Sequence, residues 1–321
     1  MPRTLGRLRT PRSQPNARRI LGVVIVPLAH VGNGVFEPLQ LVPPLVGLAA
    51  YFVRARTLAR QGRPVPALRA ASFAVGIALV IASLTTPVAH LGEELVLAHM
   101  AQHLLMADLG ALFLVLGLTG PVLQPVLATR LAHSLRILAH PVVAFLLWAL
   151  DLYIWHVPAL YEASLTSAPV HALQHTTFVF FGVAMWLALL GPLPQPAWFG
   201  NGAKLLYIVA VRLTGALLAN VFIWSESVFY PAYRGGQASW DISPLEDQGI
   251  AGTIMMLEGS VVTVVLLGWL FLKTAREAEE RQKLVELASA QGVELSERRA
   301  ARAVAAGRGD ELRRRLERSG A

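Results

Sequence analysis

Long apolar runs, separated by short segments that gather most of the charge, leave this chain few ways to fold. Between residues 37 and 272 such runs recur, each close to twenty residues long. A run of that length crosses a ~30 Å hydrocarbon core as a helix. A helix also satisfies its backbone polar groups internally, as lipid requires. Only 15% of the residues are charged, against roughly a quarter in an ordinary soluble domain. The chain therefore reads as all-α, a polytopic membrane helix bundle. We expect seven transmembrane helices, at 37–56, 67–86, 93–117, 140–157, 171–190, 204–224 and 248–272. Three parts follow: a basic N-terminal segment (1–36), the transmembrane domain (37–272) and a charged helical tail (273–321).

Basic residues mark one side of the bundle. Arg54, Arg56, Arg60, Arg63 and Arg69 lie in the first loop, Arg130 and Arg136 in the third, Lys204 after the fifth span, and many arginines beyond Lys273. The alternate loops hold only Arg234. The positive-inside rule places the basic set in the cytoplasm, the start of the first span outside and the tail inside. Residues 1–19 carry six arginines on the side expected to lie outside. The apolar stretch 20–29 behind them resembles a signal peptide or a short extra anchor; without an A-x-A site, a disordered arm stays open too. In the tail, opposite charges interleave at i, i+3 and i+4, as on a solvated helix surface. Two further short helices are expected there, split at Gly292 and at Gly307–Gly309.

Two histidine pairs carry the chemistry. His99 and His103 stand in A-H-M-A-Q-H-L-L-M, and His171 and His175 in V-H-A-L-Q-H-T-T-F. At i, i+4 on a helix, both imidazoles of a pair leave the same face. Two such rings can share a metal ion or flank a cofactor. Both pairs fall in the outer parts of spans that run in the same direction, so they reach equal depth. His156, His90 and Asp247 fall on that side as well, as auxiliary ligands or groups that support the ligands, while His133 and His140 fall on the cytoplasmic side and His30 in the N-terminal segment. Met100 and Met106 accompany the first pair, Met106 seven residues beyond His99 and so on the same helical face. Imidazole with thioether is a ligand set suited to copper, above all Cu(I). The plainer reading is that each histidine bridges helices by hydrogen bonds and each methionine packs.

Asp108, Asp151, Arg212 and Glu258 sit deeper. A charge at the centre of a span costs roughly 2.5 kcal/mol or more and wants a partner. Arg212 is expected to pair with Glu258 or Asp151 in preference to Asp108, as a structural tie or as part of an ion path. Tyr153, Trp155, Trp224 and Tyr230 fit an interfacial aromatic belt.

At these residues the chain resembles the CtaG-type cytochrome c oxidase assembly factors, first associated with caa3-type oxidases. The resemblance rests on S-L-T-T-P, A-H-M-A-Q-H-L-L-M with L-V-L-G-L-T-G-P, W-H-V-P-A-L-Y-E-A-S-L, H-A-L-Q-H-T-T-F, M-W-L-A-L-L-G-P and S-P-L-E-D-Q-G-I-A-G-T-I-M, in that order over 37–272. It implies an integral protein of the bacterial plasma membrane that helps mature haem-copper oxidase by aiding copper delivery. His99, His103, His156, His171, His175 and Asp247 fall on the family motifs. The implied partners are the oxidase subunits and an outer-side copper donor. The chain departs from the family at A-D-L-G-A and at M-M-L-E-G, where Asp108 and Glu258 stand.

Two other functions compete: a membrane haem protein with the histidines as axial ligands, and a metal or ion transporter using Asp108, Arg212, Glu258 and the histidines as a pathway. A transporter would show half-helices broken at mid-membrane by Gly or Pro, and the third, fifth and seventh spans lack such breaks at their centres. There is no cysteine, which excludes disulfides, thiolate zinc sites and iron–sulfur clusters. The net charge of +8 flanks spans rather than forming a nucleic-acid surface. No nucleophile–base set or nucleotide loop points to an enzyme.

Overall fold

The computed structural model describes residues 38–85, 87–129 and 131–319. The segment 1–36, with its possible signal or anchor and His30, lies outside the described residues, as does the side chain of His133. Every regular element among the described residues is helical.

The chain enters through α1 (Val42–Arg60) and α2 (Ala67–Leu84). A short helix, α3 (Val88–Glu94), then leads into α4 (Val96–Gly117). Leu95 between them is extended (φ −135°, ψ 135°), so the third span starts with a break, three residues later than the hydropathy suggested. Within α4, Leu104–Gly110 winds as a π-helix, a form found mostly as local bulges and often at functional sites. Two short helices, α5 (Gly120–Leu127) and α6 (Leu131–Leu138), cross to α7 (Pro141–Trp155).

Helix α7 is only fifteen residues long, about 22 Å at 1.5 Å per residue. Pro158 ends it by forcing Val157 into an extended conformation (ψ 124°). The chain bends by 73° into α8 (Pro158–Thr166). Helices α9 (Ala168–Leu190) and α10 (Asn201–Trp224) follow, then a loop holding α11 (Arg234–Ser239), and α12 (Pro244–Ala290). Ser243 caps α12 by accepting from the Glu246 N–H at 3.2 Å.

Among the described residues five helices, α2, α4, α9, α10 and α12, are each long and apolar enough to cross a membrane, and a sixth span results if the bent pair α7–α8 counts as one. This is fewer than the seven expected. Helix α1 falls short because Arg54, Arg56 and Arg60 occupy its last turns. Arg54 folds back to donate to the Pro121 carbonyl at 2.9 Å, pinning α1 to the start of α5. Large apolar side chains on the outer faces stay exposed, among them Leu146, Phe180, Leu206, Leu213, Leu217, Val261, Val264 and Phe271. Such a belt would be a liability in water and is what a helix presents to lipid.

Helix α4 is the axis of the bundle, packed against α2, α9 and α12, while α10 and α12 run against each other along their length. Its lower half joins an apolar core with Met185, Trp186, Leu189, Ile208, Val211 and Leu266. Its upper half joins a more aromatic core with Tyr161, Phe222, Tyr230 and Tyr233. The tail does not simply extend into solvent. After turns at Gly292 and Gly307, both with φ +66°, α13 (Glu297–Ala305) and α14 (Gly309–Ser319) fold back onto α12. They close a small core of Leu284, Ala288, Ala300, Val304 and Leu316.

Candidate functional site

Helical pitch puts His99 and His103 one turn apart on α4 and His171 and His175 one turn apart on α9. The packing of α4 on α9 then brings the two pairs together. Ring centroids lie 4.3 Å apart for His99–His103 and 4.1 Å for His171–His175. Across the helices they lie 5.8 Å apart for His99–His171 and 5.4 Å for His103–His175. The four rings make one closed circuit inside the bundle. His99, His103 and His175 are buried.

One glycine permits this approach. A Cβ on Gly182 of α9 would overlap the Ala107 carbonyl oxygen of α4, so the backbones touch where any other residue would wedge them apart. Gly182→Val is expected to cost at least about 1–3 kcal/mol, as overpacking does, and to separate the histidine pairs. The melting temperature of the detergent-solubilised protein reports the first effect. An unchanged melt would show that the close approach is not required.

Hydrogen bonds at the rim aim the rings. His99 Nδ1 lies 3.2 Å from the Gly92 carbonyl oxygen, His156 Nδ1 lies 2.6 Å from that of Leu152, and His175 Nδ1 lies 3.3 Å from Oε1 of Gln40. An oxygen of this kind only accepts, so each Nδ1 carries the hydrogen. Each Nε2 is then left with a bare lone pair. The Nε2 atoms of His99, His156 and His175, and both ring nitrogens of His103, are buried without a hydrogen-bond partner among the described residues. A buried polar atom left unpaired costs about 1–3 kcal/mol. Aromatic rings wall the site: Tyr161 stands 4.9 Å from His99, and Phe178 stands 4.7 Å from His103.

The other residues singled out from the sequence take varied places. His156 packs against Tyr161, Phe178 and Phe222, the first of which also adjoins His99 and the second His103. Met100 belongs to the aromatic core with Tyr161 and Phe222. Met106 is fully buried, within the π-helical stretch of α4. His90 pairs with Glu94 on α3 at 3.1 Å, partly exposed. Asp247 is wholly buried and bonded to backbone amides of α4.

Deeper in the bundle, Arg212 on α10 donates to Asp108 at 2.9 Å and lies 3.6 Å from Glu258 on α12. The order of preference read from the sequence is thus changed: Asp108 is the nearer partner. Asp151 does not join this group. It accepts from Trp155 Nε1 at 3.0 Å, one turn on along its own helix, and the same indole reaches Thr177 at 2.8 Å. The aromatic belt is likewise half corrected. Tyr153 and Trp224 are exposed, but Trp155 and Tyr230 are buried; Tyr230 stacks on Tyr161 at 3.8 Å and donates to the His156 carbonyl at 2.9 Å.

Sequence reasoning missed Tyr161, Tyr233, Gln102 and Gln174. A signal for the glutamines was present: both pairs read H-x-x-Q-H, and both Gln102 and Gln174 are buried. Gln102 donates to the Ser83 carbonyl at 2.7 Å, tying α4 to α2.

Among the described residues, no three His, Asp or Glu side chains are arranged as an enclosed metal-binding group. Each of the four rings adjoins two others around the circuit. Neutral imidazoles with bare nitrogens in an apolar, aromatic-walled pocket fit a soft monovalent ion that accepts few ligands better than a hard, multiply hydrated one.

Residues 49–277 match the family described as cytochrome c oxidase caa3 assembly factor, a range that holds all four paired histidines and the Arg212 cluster. Uncharacterized proteins of Mycobacterium leprae and Mycobacterium bovis are 24% and 25% identical to the chain over 251 residues, or 72% of its length. The matched region makes up 37% of each of those proteins, so the chain spans little more than a third of the curated relatives it matches. No solved structure matches it.

Proposed function

The chain belongs to the cytochrome c oxidase caa3 assembly factor family, and from that premise we propose that it receives Cu(I) in its histidine cluster and passes it to the apo-oxidase. Copper is cargo in this reading, and the role is that of a carrier rather than an enzyme. It works in the bacterial plasma membrane with the histidine end of the bundle facing outward, towards a copper donor and the oxidase subunits. The observation that carries the reading is the set of buried, unpartnered imidazole nitrogens of His99, His103 and His175, three members of a circuit of four rings in mutual contact. Hydrogen bonds at Nδ1 that fix the tautomer are the usual support of a metal-ligating histidine. Neutral rings need no counter-charge in a low-dielectric site. Rings in contact leave no slot for a flat macrocycle between them, which counts against the haem alternative.

The test has two parts. Protein purified from copper-replete membranes should hold copper and show no haem absorption. A strain lacking it should make the oxidase subunits but leave them inactive under copper limitation. A haem spectrum in the pure protein, or full oxidase activity in the deletion strain, would overturn the carrier reading.

A further inference from the structure

The break at Leu95 leaves the first N–H groups of α4 without intrahelical partners, as at any helix start. A carboxylate from a distant helix meets them. Asp247, wholly buried in the first turn of α12, accepts from Val96 N–H through Oδ2 and from Leu97 N–H through Oδ1, both at 2.9 Å. Gln237 Nε2 donates to Oδ2 at 2.8 Å and holds the carboxylate in place. A negative charge at this end of α4 also meets the positive end of the helix dipole. The first histidine pair begins less than one turn further on.

His99 is held across the same break. The Gly92 carbonyl of α3 accepts from its Nδ1 at 3.2 Å and from the Tyr233 hydroxyl, also at 3.2 Å. Tyr233 is bonded in turn to Tyr161 at 3.0 Å. A Cβ on Gly92 would lie 2.7 Å from Oε1 of Gln102, so a side chain there would push that amide aside. The ring of His99 is therefore set by the relative placement of α3 and α4, and Asp247 fixes where α4 starts.

From these contacts we infer that Asp247 is the positioning residue of the histidine cluster: it seats the first turn of α4 so that Gly92 holds His99 Nδ1 and the ring keeps its contacts with His103 and His171. Asp247 acts through the backbone of α4 and touches no cargo. The inference deepens the copper reading and rests on it for the identity of the ion, whereas the ring orientation belongs to the metal-free protein.

The experiment uses the full chain in detergent micelles, with nitrogen-15-labelled histidine and His99 assigned by its loss in His99→Ala. In metal-free wild type, His99 should show a single tautomer with hydrogen on Nδ1. Asp247→Ala should replace that signal with a tautomer average and weaken Cu(I) binding about 10–100-fold, the usual effect of losing a supporting contact around a metal ligand. Cu(I) binding is read by competition with a coloured chelator. Gln237→Ala, which loosens the carboxylate without removing it, should shift both readouts the same way by less. A folded Asp247→Ala protein with the wild-type His99 signal and affinity would overturn the inference. Should Asp247→Ala fail to fold, an unchanged His99 signal in Gln237→Ala would overturn it as well. A tautomer that responds to Asp247 in a wild type that binds no Cu(I) would uphold the positioning role and sink the carrier reading instead.

Discussion

Replacing Arg212 by leucine is expected to leave little folded protein in the membrane. Its guanidinium lies between Asp108 on the π-helical stretch of α4 and Glu258 on α12. It also lies against Gly259, where a Cβ would fall 2.9 Å from one of its terminal nitrogens. Removing one member of a buried ion cluster costs about 3–5 kcal/mol, because the charge left behind has neither water nor partner. Here two carboxyl groups are left, and they lie close enough to repel. Against a total stability of about 5–15 kcal/mol, that loss shows in the amount of protein recovered from membranes and in its melting temperature. Arg212→Leu combined with Asp108→Leu and Glu258→Leu removes all three charges and should restore much of the loss, as replacement of a buried triad by apolar residues does elsewhere. A single Arg212→Leu variant that melts like wild type would show that the cluster does not tie α4, α10 and α12 together.

The second large effect concerns cargo rather than fold. A His99→Ala, His175→Ala double variant removes one ring from each pair, at diagonal positions of the circuit. Copper retained after purification should fall to background, and the variant should not restore oxidase activity to a deletion strain. Its helix content should stay near wild type, since the rings lost are ones whose Nε2 atoms the described protein leaves unpaired. A ligand that binds only the folded state adds about 2.7 kcal/mol at a hundred times its dissociation constant. Cu(I) should thus raise the melting temperature of wild type and leave that of the double variant unmoved. Retained copper with restored oxidase activity would show that the histidines bridge helices and nothing more.

Much of this was legible in the chain as written. Helical pitch is a local property, so the i, i+4 spacing of His99/His103 and of His171/His175 was enough to put each pair on one face. Apolar run lengths marked the spans, and Gly292 and Gly307 marked the tail turns at which the structure takes positive φ. Length alone marked seven spans, whereas five or six pass on length and composition together among the described residues. Arginines at the end of α1 keep it from passing as a span by composition, and Pro158 cuts α7 short and bends the chain.

What lay beyond the sequence depends on contacts between residues far apart along it. That the two pairs meet follows from the touch of Gly182 on Ala107, some seventy-five residues away. Asp108, the nearer partner of Arg212, stands in a π-helical stretch, which α-helical spacing does not foresee. That Asp247 supports α4 through its backbone amides depends on a break at Leu95 and on α12 reaching across 150 positions. Periodicity and composition are summed over neighbours in the chain, and so they determined which faces are apolar and which carry imidazole. Which of those faces meet, and at what distance, is settled by close packing between helices, and that was decided only in the tertiary structure.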